Sequence, residues 1–265
     1  MNAVSIGFVC PPCKGVLAEG RDGLCCSACG ERFPYLITGA IPDLTFPKHL
    51  ARETARHRQH FDYLSERYNN SIARLLQRNE VVFRRTLLQL LKLKLRSHVL
   101  EVGVGTGSNL PYIFDSAEGV TVDGIDLSPR MVELCARHYL AQRQSLRLAV
   151  ANAEYLPYPD EVFDAVLHFG FINEFGSPAR GIAEMIRVGK PGGRVVISDD
   201  GIPPHLRGLP WAKTLISANP SFGFDPPLDL LPASIANLEV RWFANVFYII
   251  SFSKTSSDSG GGGHL

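Results

Sequence analysis

The apolar positions of this chain change their spacing as the sequence advances. Up to about residue 45 they are sparse and interrupted by Cys, Gly and Pro. From Pro47 to about Arg96 they recur at helical spacing, first as Phe61, Leu64, Tyr68 and Ile72, then as Leu75, Leu76, Val82, Phe83, Leu87, Leu88 and Leu91. That spacing predicts two or three amphipathic helices. Short β-rich runs follow at His98–Val102, 119–125, Leu146–Val150, 163–168 and 194–198, separated by segments that can each hold a helix. Strands alternating with helical connections predict an α/β fold, a mostly parallel sheet with helices on both faces. Two last runs, 238–244 and 246–252, meet at Asn245 and predict an antiparallel hairpin.

The same pattern divides the chain. We expect a small module over residues 1–46, a helical linker or cap over 47–97, a ligand-binding domain over 98–254 and a disordered Ser/Gly tail over 255–265. The proline-rich stretch 201–232 is too irregular for a crossover helix throughout, so part of it reads as a lid or pocket wall.

Composition changes this picture little. Hydrophobic residues make up 45% and charged residues 20% of the 265, which excludes a disordered or fibrous chain. Neither a secretory signal nor an apolar run of about 18 residues stands out, so a cytoplasmic protein without a membrane span is expected. Charge is more telling, because the formal net value of +1 hides an asymmetry. Between Lys48 and His98 there are twelve Lys and Arg against four Asp and Glu. Either these are solvated helix faces, or they dock an acidic or nucleic-acid partner.

Five of the six cysteines fall between residues 10 and 29. Cys10-x2-Cys13, then twelve residues, then Cys26-x2-Cys29 is a four-thiolate set that suits tetrahedral zinc in a ribbon. Gly30, directly after Cys29, fits the tight turn of such a knuckle. Cys25 is an alternative to Cys26, at a poorer spacing from Cys29. A disulfide role is the other reading, without a secretory signal to favour it. With all four positions filled by protein, the zinc is structural, and the chemistry lies elsewhere.

Residues 99–107, Val-Leu-Glu-Val-Gly-Val-Gly-Thr-Gly, read as a buried strand, a glycine-rich loop and the approach to a helix near Ser108 or Asn109. The glycines Gly103, Gly105 and Gly107 are spaced Gly-x-Gly-x-Gly, not the Gly-x-Gly-x-x-Gly of dinucleotide sites. Glu101, just ahead of the loop, can attract a cationic ligand. S-adenosylmethionine (SAM) carries an α-amino group and a sulfonium, so both details favour it over a nicotinamide cofactor. Asp126, at the end of the next strand, is placed to accept hydrogen bonds from ribose hydroxyls. Its other reading is an N-cap for the helix beginning near Pro129, a task Ser128 suits better.

With these residues in view, the sequence resembles the class I SAM-dependent methyltransferases, most of all the subgroup that includes the quinone-biosynthesis C-methyltransferases. The resemblance rests on residues 101–107, Gly124 to Pro129, Ala151 to Asp160, Phe163 to Val166 and Arg187 to Gly193, five motifs in order. It implies a Rossmann-like seven-stranded sheet with one antiparallel strand. It also implies that Leu127, Asn152 and Ala153 join Glu101, the three loop glycines and Asp126 around the cofactor. Asn152 departs from the Asp usual there. The cysteine module, ending in Phe33 to Leu44, is similar to the amino-terminal ribbons of some methyltransferases, among them guanine-N1 ribosomal RNA enzymes.

Methyl transfer from a sulfonium needs positioning above all, and a base only where the acceptor must lose a proton. Candidates follow the fourth and fifth strands of the sheet: His168, Phe169, Phe171, Asn173 and Glu174, then Asp199, Asp200 and His205. His168 is either a base or a hydrogen-bonded residue lining the cofactor pocket. Asp199 and Asp200 either bind substrate or cap a loop. Three functions stay open: a methyltransferase acting on a small-molecule acceptor, one acting on RNA through the ribbon and basic helices, and a SAM-binding scaffold without catalysis. The oligomeric state is not legible.

Overall fold

The computed structural model describes residues 7–36, 41–65, 79–142 and 145–255. Tyr68, Ile72, Leu75 and Leu76, with the tail from residue 256, lie outside them.

The amino-terminal module is a three-stranded antiparallel sheet of β1 (Leu17–Gly20), β2 (Gly23–Cys26) and β3 (Arg32–Phe33). Seven further strands, β4 (His98–Val102), β5 (Thr121–Asp126), β6 (Leu146–Val150), β7 (Phe163–Phe169), β8 (Gly189–Asp200), β9 (Ile235–Phe243) and β10 (Phe247–Lys254), form one sheet in the order β6-β5-β4-β7-β8-β10-β9. Strand β10 runs antiparallel to both its neighbours, while the pairs from β6 to β8 are parallel. This is the expected sheet. The final hairpin turns on Ala244 and Asn245, both at positive φ (50° and 59°), with Val246 N–H donating to the Phe243 carbonyl at 3.1 Å. Two such residues give the twist that hairpin strands need.

The described α-helices are α1 (Arg52–Leu64), α2 (Glu80–Leu91), α3 (Leu110–Ser116), α4 (Pro129–Tyr139), α5 (Pro178–Val188) and α6 (Pro210–Ala218), with short 3₁₀ turns between elements. Their ends follow from local chemistry. Ser128 caps α4 by accepting from Met131 N–H, and Ser177 caps α5 by accepting from Arg180 N–H, each followed by a proline at the first helical position. Helix α2 buries Phe83, Leu87, Leu88 and Leu91 as its spacing predicts, but also Arg84 and Leu90. Val82, expected on that stripe, is 55% exposed.

The ribbon is distinct in sequence yet continuous in packing. Cys10, Leu24, Cys26, Phe33 and Leu44 belong to one apolar cluster with Leu100, Val102 and Ile125 of the large sheet. Residues 42–44 pair with the carboxyl end of β6 at its outer edge: Leu44 N–H donates to the Val150 carbonyl at 2.7 Å, and Val150 N–H to the Pro42 carbonyl at 3.0 Å. Lys14 reaches across to the Leu156 carbonyl (2.9 Å) and to Glu184 (3.1 Å).

Candidate active site

The chain runs from β4 outward to β5 and β6, then returns to place β7 on the other side of β4. At that reversal a cleft opens beyond the strand ends, where open α/β sheets hold their ligands. Glu101, Gly103, Gly105, Asp126, Leu127, Asn152, Ala153 and His168 line it, whereas Gly107, expected with them, does not.

The loop after β4 needs its glycines for two different reasons. Gly105 and Gly107 both have positive φ (54° and 85°). A Cβ on Gly107 would lie 2.8–2.9 Å from atoms of Tyr139, Cys135 and Leu110, so the protein itself fills that space. One on Gly105 would meet no atom within 4 Å. Gly105 N–H instead donates to Asp126 Oδ2 at 2.9 Å, and Ser128 N–H to Asp126 Oδ1 at 2.8 Å, so the carboxylate ties the loop to the end of β5. Burial lifts Asp126 to about 6.

Beneath the loop, Glu101 is only 2% exposed. Its Oε1 accepts from Asn109 Nδ2 at 2.7 Å, and the Asn109 oxygen accepts from Arg84, which also pairs with Glu80 at 2.9 Å. Among the described residues its Oε2 has no hydrogen-bond partner. Desolvation therefore raises the Glu101 carboxyl to about 7. His168 is similarly enclosed: its Nδ1 lies 2.8 Å from the Val102 carbonyl, which can only accept, so Nδ1 carries the proton. The other ring nitrogen, Nε2, is a buried acceptor without a partner among the described residues, and desolvation depresses the imidazole to about 4. His168 is thus a neutral, fixed acceptor in the wall of the cleft.

Asn152 is already engaged. Its Oδ1 accepts from Glu154 N–H at 3.0 Å, and its Nδ2 donates to the Phe46 carbonyl at 3.2 Å. Asp199 and Asp200 do not line the cleft. Asp199 Oδ1 accepts from the backbone of Phe171 (2.7 Å) and Asp200 (2.8 Å), so it props up the loop after β7, and Asp200 accepts from Asn219. Asn173 reaches Asp199 and Tyr248, while His205 is exposed in a short 3₁₀ turn. Phe169, Phe171 and Glu174 do face the cleft.

The residues that sequence reasoning missed come from α1. Thr54, His57, Arg58 and Phe61 line the cleft opposite the loop after β7, and no residue of 201–232 does. Phe61 packs edge-on against Phe171 with ring centroids 4.7 Å apart. The cap is therefore the helix before the sheet, not the proline-rich segment within it. Helical spacing had marked Phe61, but spacing alone gives a face, not its partner.

In the ribbon, the sulfurs of Cys10, Cys13, Cys26 and Cys29 all lie within 4.8 Å of one another. Three of the separations are 3.5, 3.5 and 3.6 Å, far beyond a disulfide bond of about 2.05 Å. They approach the edge of about 3.8 Å expected for a tetrahedron with metal–sulfur bonds of about 2.3 Å. Gly30 takes the positive φ (76°) expected of it. Cys25 is outside the cluster, its sulfur 3.9 Å from the carbonyls of Cys26 and Gly30.

Residues 100–197 match the family model described as a methyltransferase domain. The chain is 30% identical over 180 residues to the demethylmenaquinone methyltransferase of Tropheryma whipplei (strain Twist), a match covering 64% of this chain and 74% of the relative. It is 34% identical over 149 residues to that of Thermus thermophilus, covering 52% and 67%. In fold it is similar to phosphoethanolamine N-methyltransferase 2 of Haemonchus contortus, solved with S-adenosyl-L-methionine, at a TM-score of 0.61 and 16% identity over 81% of this chain and 62% of that one. Likeness at this identity speaks for the fold alone, whereas relatives this similar over most of their own length decide the family. The chain belongs to the class I SAM-dependent methyltransferases.

Proposed function

We propose that this methyltransferase transfers the methyl group of SAM to a small-molecule acceptor held between the sheet and α1, and that its ribbon carries a structural zinc. The single observation behind the first part is the pair of orphaned buried acceptors, Glu101 Oε2 and His168 Nε2, in the wall of one cleft. Each lacks a donor, and an α-ammonium group supplies two. Each oxygen of Asp126 keeps a lone pair beyond its backbone bond, as a ribose diol requires. Leu127, Asn152 and Ala153 would border the adenine, Asn152 offering only the unused lone pair of its Oδ1. Bound SAM supplies a methyl carbon already activated by the sulfonium; the chain binds, aligns and excludes water.

A small acceptor is favoured over RNA by what the basic segment does with its charges. Arg84 is buried and spent on Glu80 and Asn109, and Arg58 lines the cleft, so neither belongs to an outer phosphate-binding strip. The relatives' names, demethylmenaquinone methyltransferases, agree with a small acceptor. No described helix is long and apolar enough to cross a membrane. Four clustered thiols need a reducing compartment, which supports a cytoplasmic location.

Extract incubated with the protein and methyl-labelled SAM should yield S-adenosylhomocysteine and label in the metabolite fraction. Label confined to RNA would overturn the small-acceptor reading. The glycines provide a second check. Gly105→Ala should cost about 1 kcal/mol of stability for its positive φ, yet weaken SAM binding at least tenfold, since its methyl enters the cleft. Gly107→Ala should instead lower stability by about 2–3 kcal/mol through the crowded side chains. Calorimetry and thermal melts on both variants separate the two effects.

A further inference from the structure

The amino-acid end of SAM carries a carboxylate beside its ammonium group, and out of bulk water a carboxylate needs a cation or several hydrogen-bond donors. The glycine loop has few donors to give. The N–H groups of Gly103 and Val104 both donate to the Ile125 carbonyl at 2.8 Å, that of Gly105 donates to Asp126, and those of Gly107 and Leu110 donate to carbonyls of the loop itself at 2.9 and 3.0 Å. The hydroxyls of Thr106 and Ser108 lie 3.3 Å from each other. Among the basic side chains of the cleft wall, Arg84 turns Nε and Nη2 to Glu80 at 3.0 and 2.9 Å. His57 directs both ring nitrogens at Glu174, one at its carbonyl (2.9 Å) and one at its carboxylate (3.4 Å). Arg58 is half-buried, and among the described residues no hydrogen bond or ion pair engages it.

Helix α1 brings this cation in from above. Its face of Thr54, His57, Arg58 and Phe61, at helical spacing, lines the cleft. His57 and Phe61 fasten the helix to the loop after β7, and Asp62 accepts from Ser128 Oγ at the end of β5. Arg58 lies between these two attachments, next to His57 and one turn before Asp62. Packing of the helix itself is thin, since Thr54 alone of its residues is buried. We propose that Arg58 is the counter-ion of the SAM carboxylate, so that the bound cofactor ties α1 down and completes the roof of the cleft. This rests on the SAM site described above, with the ammonium group at Glu101. S-adenosylhomocysteine keeps the same carboxylate, so substrate and product cofactor both hold the roof in place.

Two ligands and two proteins test it as a double-mutant cycle. Decarboxylated SAM keeps the ammonium, the sulfonium and the nucleoside and lacks only the carboxylate. By calorimetry the natural protein should bind SAM about 30-fold more tightly than decarboxylated SAM. In Arg58→Gln that preference should fall to about threefold or less, through weaker SAM binding alone, and Arg58→Lys should restore part of it. A merely structural role would weaken both ligands alike and lower the melting temperature without ligand, which should instead stay within about 2 °C of the natural value. Amide exchange across Arg52–Leu64 reads the roof directly: SAM should slow it in the natural protein, but neither decarboxylated SAM there nor SAM in Arg58→Gln should do so. An undiminished preference for SAM in Arg58→Gln overturns the counter-ion, and equal protection of the helix by both ligands overturns the tie. Should the natural protein bind neither compound, the SAM site itself falls, and this inference with it.

Discussion

Glu101→Gln should bind SAM about 100-fold more weakly than the natural protein and yet melt at a higher temperature at pH 8. Both effects come from one buried carboxylate whose second oxygen has no partner among the described residues. An ammonium group against it makes a charge-assisted contact, and removing one partner of such a pair costs about 3 kcal/mol, a factor of about 100. For stability the sign runs the other way. Burial raises the folded-state value from 4.5 to about 7, so the protonated form contributes stability that is fully present below pH 4.5 and lost as pH rises through about 7. At pH 8 the free protein carries the ionised, half-satisfied group. Glutamine removes that charge at every pH, which should raise the melting temperature by about 4 °C at pH 8 and leave no advantage below about pH 5. Melts across this range check it. The same reasoning requires the natural protein to bind SAM more tightly as pH rises through about 7, since the cation needs the ionised carboxylate. A pH-independent affinity in calorimetry would remove Glu101 as its partner.

Stripping the proposed zinc from the ribbon should be still more damaging. Structural zinc in a four-thiolate site contributes on the order of 10 kcal/mol at neutral pH, more than a small sheet of this size has from its own core. Elemental analysis should find one zinc per chain in the natural protein and in Cys25→Ala, whose sulfur lies outside the cluster, and less in Cys26→Ala. The loss should not stay local. The ribbon shares its apolar cluster with the large sheet, and Phe46, just beyond it, accepts from Asn152 beside the cofactor cleft. A chelator is therefore expected to weaken SAM binding about tenfold as well as to unfold the ribbon, read by calorimetry and by proteolysis within residues 7–36. Unchanged SAM affinity after complete removal of zinc would show that the two parts are energetically independent.

What the sequence disclosed, and what it withheld, divides along physical lines. Strand positions, the glycine loop and the cysteine knuckles are local: each follows from period, turn chemistry or ligand spacing over a few residues. So His98–Val102 and Leu146–Val150 have the expected bounds, and Asp126 stands beside the loop. Contacts across the fold leave no such trace. Nothing in the spacing of α1 says that His57 and Phe61 face the cleft, because a helical stripe marks burial without naming what it is buried against. Arg84 looked like one more solvated cation, and only the tertiary structure shows it inside, holding Asn109 against Glu101. Asp199 shows the reverse: an acidic residue at a strand end suggests chemistry, but its oxygens are taken up by the backbone of the neighbouring loop.

The strip of chain along β6 has a consequence for anyone seeking a minimal enzyme. Parallel sheets end in a row of unpaired amides and carbonyls, a template on which other molecules assemble. At the far side β9 guards that boundary with the exposed Glu239–Arg241 pair, but at β6 the guard is Pro42 to Leu44. A shortened chain starting at the first catalytic strand would keep every motif of the cofactor cleft and still be prone to self-association, because the segment discarded as an appendage is also the selvedge of the sheet.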